Sequence, residues 1–225
     1  MAIFTTLLIT YLITAIHESI FFYRQWKFHF GRSTRLERDN ISARYEALRT
    51  QVNPHFLFNS LNSLSSLVEN NPKAVEYIGH MSDLLRYMLS SSEKEFSLLR
   101  DELKVLNSYL ALQTLRFGEN LKAEVSIPEQ NYHLAIPPLT LQMLAENAIK
   151  HNIITAEKPL EIAVFCETDR LIIQNTLQLR QGVQSTGKGL NNIRGRYALY
   201  TSREVEVSQS TIQFKVSLPL LEVEL

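Results

Sequence analysis

Only one cysteine occurs among the 225 residues, Cys166. An intrachain disulfide framework is therefore excluded, and the chain suits a reducing compartment. Cys166 lies in an apolar, strand-like run, where a thiol reads as a small buried hydrophobe rather than a nucleophile. An excess of either charge is missing too: 23 lysines and arginines balance 23 aspartates and glutamates. Nucleic-acid binding draws its affinity from neutralised phosphates, so direct nucleic-acid binding is not expected. A hydrophobic content of 45% excludes wholesale disorder. The length admits one large domain, or two small ones with a connector.

The N-terminus lacks the marks of a secretory signal, because no charged region precedes its apolar run and no small-residue cleavage site follows. Residues 2–16 are nearly all apolar or threonine, and after His17-Glu18-Ser19 the apolar character resumes at Ile20-Phe21-Phe22. Roughly 20 such residues on a helix cross a bilayer. His17 and Glu18 count against a span. Arg24, Lys27, Arg32 and Arg35, with Tyr23 and Trp26 at headgroup depth, count for one and place the C-terminal side in the cytoplasm. The expectation is a transmembrane helix over 1–23 in the inner (cytoplasmic) membrane, the alternative being a buried soluble helix.

Residues 24–50 form a helical connector. It is polar and proline-free from residue 32, and Ile41, Tyr45, Leu48 and Val52 alternate four and three apart like a coiled-coil seam. A single amphipathic helix explains the short run nearly as well. Residues 51–62 then read Q-V-N-P-H-F-L-F-N-S-L-N. On a helix, Gln51, His55, Asn59, Asn62 and Ser66 form a polar stripe, and Leu57, Leu61, Leu64 and Val68 an apolar one. Pro54 would bend the helix beside His55. A neutral imidazole is nucleophilic near pH 7 and can accept a phosphoryl group. A lone helical histidine is more often structural, and the heptad count also allows His55 an inward position.

The run 51–64 resembles the phosphoacceptor motif of the LytS/YehU-like sensor histidine kinases, which read close to Q-x-N-P-H-F-L-F-N-x-L-N. The resemblance implies that His55 is the phosphoacceptor, with Asn59 beside it, on the first helix of a dimerising hairpin. The second helix would start at Pro72, with Ile78, Met81, Leu84, Leu85 and Met88 on one side. A further helix over 96–117, with Leu99, Leu103, Leu106, Leu110 and Leu115, would lead into the nucleotide domain. The phosphotransfer helices thus occupy 51–118 and an ATP-binding domain 119–225.

In that second half, residues 122–127 alternate like a strand. Pro137-Pro138 opens a helix on which Leu141, Leu144, Ala145 and Ala148 can face a sheet. Glu146, Asn147, Lys150, His151 and Asn152 crowd the other side and the helix end. Such a set offers oxygens to a cation and cations or amides to phosphates, while a solvated face is the plainer reading. Lys150 and His151 could instead cap the helix C-terminus. The run L-Q-M-L-A-E-N-A-I-K-H is similar to the N box of the GHKL superfamily in its LytS-like form. That likeness implies Asn147 as the Mg2+ ligand, Lys150, His151 and Asn152 near phosphate or ribose, and Glu146 as a polar or base partner. Strands follow at 160–167 and 171–175, then a polar, glycine-bearing lid over 176–187. Residues 187–196 resemble the second glycine box, G-x-G-L-x-N-x-x-x-R, through Gly187, Gly189, Leu190, Asn192 and Arg196. Glycines before a helix let backbone amides approach phosphate. Strands at 205–208 and 211–218 would close a Bergerat-type α/β sandwich, giving an α+β chain overall.

The D-x-G-x-G box usual after the 171–175 strand is missing. Asn175 is the nearest substitute for its aspartate, accepting the adenine amino group without charge. The resemblance implies a homodimeric ATP:protein-histidine phosphotransferase that uses ATP and Mg2+ and has a response regulator of LytTR type as partner. A non-catalytic dimeric scaffold, motivated by the missing aspartate, and an ATP hydrolase are the other readings.

Overall fold

The computed structural model describes residues 11, 14, 17, 18, 21, 22, 54–91, 94–180 and 188–223. The chain divides into two units, 1–57 and 58–225. The described residues between 11 and 22 are helical. The rest of the expected membrane segment, the connector and Gln51 lie outside the described residues. Among those described, no helix is long and apolar enough to cross a membrane.

Helix α1 (Pro54–Leu67) carries His55, and helix α2 (Pro72–Ser91) follows a four-residue turn. Each opens on a proline, the residue that loses nothing at a first helical position. Asn71 caps α2 by accepting the Ala74 N–H at 3.2 Å. The expected polar stripe is exposed at Asn59, Asn62 and Ser66. Of the expected apolar stripe Leu57 and Leu61 are half-buried, whereas Leu64 is 47% exposed within the single chain. The Arg86 guanidinium of α2 lies 5.3 Å from the Phe58 ring centroid of α1.

Helix α3 (Leu99–Phe117) buries Leu99, Leu103, Leu106 and Leu110, the spacing expected of it. It ends at Gly118, where φ of +59° suits a residue without Cβ and its N–H reaches the Thr114 carbonyl. Before α3, a two-residue strand β1 (Ser97–Leu98) pairs antiparallel with β3 (Ala135–Ile136). These replace the start of the expected 96–117 helix, since the backbone groups of 97 and 98 are taken by 135 and 136.

The main sheet has five strands: β2 (Leu121–Ser126), β4 (Leu160–Glu167), β5 (Arg170–Thr176), β6 (Glu206–Gln209) and β7 (Gln213–Pro219). Their order is β2-β4-β5-β7-β6, with only β2–β4 parallel. Helix α4 (Thr140–His151) and helix α5 (Lys188–Ala198) complete the unit. Helix α4 begins at Thr140, not at the prolines, because Leu139 takes a left-handed φ of 61° just before it. Along the sheet, Ile162, Val164, Leu171, Ile173, Val216 and Leu218 alternate onto one face. They share a core with α3, with Leu141, Leu144, Ala145 and Ala148 of α4, and with Ile193 and Tyr197 of α5. Cys166 joins that face half-buried, and burial pushes its thiol up, the behaviour of an inert cysteine.

Candidate functional site

Burying four small and apolar side chains of α4 turns Glu146, Asn147 and Lys150 to the helix's other side. Glu146 and Lys150 are exposed, while Asn147 and His151 are half-buried. The cover over Asn147 is the first turn of α5. A Cβ built on Gly189 would lie 3.2 Å from Asn147 Nδ2 and 3.6 Å from Met143 Sδ. The backbone at the start of α5 therefore comes close to the asparagine amide, with no room for a side chain between them. Gly189 thus joins the two sequence motifs in space. Leu190 packs against the core and Asn192 is exposed, whereas Gly187 lies outside the described residues.

Asn175 sits on β5 on the face shared with Leu171 and Ile173, 6% exposed. Its Nδ2 donates to the Thr176 carbonyl at 2.6 Å, so the oxygen is the end of the amide left to accept. Tyr109 of α3 stands beside Glu146, and burial with that carboxylate's charge raises its hydroxyl pKa to about 12.

Asn152 and Arg196 also make hydrogen bonds within the fold. Asn152 is 2% exposed. Its Nδ2 donates to the Ala148 carbonyl at 2.8 Å and its Oδ1 accepts the Gln178 N–H at 2.7 Å. It ends α4 and pins the segment that follows β5. Gln178 completes that strap by donating to the Ile153, Lys158 and Pro159 carbonyls, and the Arg180 N–H reaches the His151 carbonyl at 2.9 Å. Arg196 donates through Nη1 to the Pro138 carbonyl at 2.7 Å, so one end of its guanidinium holds the approach to α4.

Sequence reasoning missed Glu102 and Tyr87. The Glu102 carboxylate, 1% exposed, accepts the Leu139 N–H at 2.7 Å, the Leu141 N–H at 3.4 Å and the Tyr87 hydroxyl at 2.6 Å. A signal existed: Glu102 falls on the buried stripe with Leu99, Leu103 and Leu106, where a charge demands partners.

A depression of about 310 Å3 lies where Lys122, Glu124, Glu161, Gln174 and Gln213 alternate away from the core, and of the expected site residues it touches Asn175 alone. Among the described residues, no three or more histidine, cysteine, aspartate or glutamate side chains converge as a metal site. Magnesium, which keeps waters and binds through phosphate oxygens, needs only one or two protein ligands, and Asn147 Oδ1 can be one.

The paired motifs resemble those of GHKL-type histidine kinases. A sequence profile described as histidine kinase matches residues 43–121. Sensor histidine kinase YesM of Bacillus subtilis is 31% identical over 166 residues, spanning 68% of this chain and 28% of YesM. Sensor histidine kinase/phosphatase LytS of Staphylococcus aureus is 31% identical over 165 residues, spanning 73% of this chain and 27% of LytS. The chain thus spans under a third of the length of these relatives. The solved structure of Acinetobacter baumannii histidine kinase AdeS aligns at 12% identity and a TM-score of 0.38, over 75% of this chain and 95% of that one. The chain belongs to the LytS/YehU-like sensor histidine kinase family.

Proposed function

We propose that this chain autophosphorylates on His55 from Mg-ATP held by its C-terminal α/β unit, a Bergerat-type sandwich, and passes the group to an aspartate of a response regulator. The observation that carries the reading is the close approach of Gly189 to Asn147, which brings the start of α5 against α4 one helical turn from Lys150. Asn147 would hold magnesium, Lys150 and His151 the phosphates, and the amides of Gly187, Gly189 and Leu190 the phosphate chain, with Asn192 at its edge. Asn175 Oδ1 would accept the adenine amino group. Asn152 and Arg196 serve by fixing the two ends of α4.

In the transfer, a ring nitrogen of His55 bonds to the γ-phosphorus, the bond to the β–γ bridging oxygen breaks, and ADP leaves. Asn59 would stand beside the imidazole, and Glu146 would be the candidate base for the other ring proton. Magnesium, when bound, neutralises charge on the phosphate oxygens. The remaining contribution is positioning.

Residues 1–23 would anchor the chain in the cytoplasmic membrane, 24–50 would connect as a coiled coil, and 51–118 would dimerise. The regulator would be of LytTR type. The test is labelling with γ-labelled ATP and magnesium, beside His55→Gln and Asn147→Ala. Acid-labile label on the wild type, lost in both variants, is expected. Phosphate release without protein label would make the chain a hydrolase, and absence of nucleotide binding would make it a scaffold.

A further inference from the structure

Helix α4 starts without a cap of its own. The residue before it, Leu139, has no side-chain acceptor to offer and stands at φ 61°, a left-handed conformation that a branched side chain adopts only when held. What holds it is Glu102 of α3, whose two oxygens take the Leu139 and Leu141 N–H groups. A carboxylate at this place answers both the open donors and the positive end of the helix. Around the same elbow, Thr140 Oγ1 turns back to the Pro137 carbonyl at 2.6 Å, and Arg196 of α5 holds the Pro138 carbonyl.

A side-chain donor to Glu102 comes from the hairpin. Tyr87, near the end of α2, gives its hydroxyl to Glu102 Oε1 and also meets Ser97 Oγ. Its ring brings no charge, so the carboxyl group is buried with only backbone amides and hydroxyl donors around it. Burial raises the pKa of this carboxyl, and the tyrosine and backbone donors oppose the rise.

We propose that Tyr87 and Glu102 form a relay through which the position of hairpin helix α2 sets the start of α4, and with it Asn147. Glu102 is the positioning residue. A slide of α2 by one residue is roughly 1.5 Å along its axis, enough to break a hydrogen bond of ordinary length. Glu102 then loses the one side-chain donor that ties it to the hairpin, and a shift of its carboxylate releases Leu139 from its left-handed conformation. The functional consequence, tighter or looser nucleotide, rests on the kinase reading; the mechanical link does not.

Amide hydrogen exchange of the whole chain without nucleotide tests the link in wild type, Tyr87→Phe, Glu102→Gln and the double variant. Tyr87→Phe keeps the ring and removes only the donor. Exchange across 139–147 is expected to speed up roughly tenfold in each single variant, as for loss of one bond to a charged group, with little further change in the double. Tyr77→Phe, an exposed tyrosine of α2, is expected to leave this segment unchanged. Exchange at 139–147 within about twofold of wild type in Tyr87→Phe, or fully additive effects, would overturn the relay. So would a lowered melting temperature with acceleration spread evenly over the core, the mark of a merely structural role. If Glu102→Gln does not fold, Tyr87→Phe decides alone. Mg-ATP affinity, expected to weaken several-fold in Tyr87→Phe, is the second readout. A wild type that binds no nucleotide defeats the kinase reading and leaves the exchange result intact.

Discussion

Gly189 stands so close to Asn147 that an added methyl group would meet Nδ2 at 3.2 Å and Oδ1 at 3.8 Å. The glycine is required here by proximity, not by backbone conformation. In Gly189→Ala the asparagine amide must give by a few tenths of an ångström, and Met143 on its flank narrows the room. The fold has little at stake, since Gly189 is outside the shared core. Mg-ATP affinity by titration calorimetry is expected to fall roughly tenfold, the scale of a misdirected bond to a charged group, while the melting temperature stays within a few degrees. A large drop in melting temperature with unchanged affinity would mean that the contact serves packing alone.

Asn175 offers the second test, because it stands where an aspartate is usual. A carboxylate accepts from an adenine amino group about twice as strongly as a neutral amide, so Asn175→Asp should bind ATP more tightly. It should also be less stable. The amide nitrogen now donating to the Thr176 carbonyl would be replaced by a second acceptor at a site 6% exposed, a loss of about 1–3 kcal/mol. Competition against inosine triphosphate, which has no amino group, reads the first effect. Tighter ATP with unchanged inosine triphosphate is expected, together with a lower urea midpoint. Equal gains for both nucleotides would place the adenine elsewhere.

The sequence was most legible where structure is local. Strand β4 occupies residues 160–167, the apolar, strand-like run that holds Cys166, and Leu141, Leu144, Ala145 and Ala148 are buried as helical spacing demands. What escaped is non-local. Strands β1 and β3 have two residues each and no pattern of their own, and they exist because 97 and 98 find 136 and 135. The start of α4 escaped for the same reason, since its cap is a carboxylate 37 residues earlier in the chain. At Asn152 the bond to the Gln178 N–H was equally illegible, because its partner lies 26 residues further along the chain.

Glu102 also carries a pH dependence with a definite sign. Burial raises its pKa above the ordinary 4.5, and this outweighs the donors from Tyr87 and the backbone. Between those two values the folded chain holds a proton that the unfolded chain has released. Stability therefore falls as pH rises through this window. The contribution is fully present below pH 4.5 and lost once the pH passes the raised value. Other carboxylates titrate over the same range, so the comparison must be with Glu102→Gln, which removes this group and keeps its shape. The urea midpoint of wild type minus that of Glu102→Gln is expected to decline with rising pH and then level off. A difference that instead grows as pH rises would show that the donors win, making Glu102 a carboxylate that the fold prefers charged.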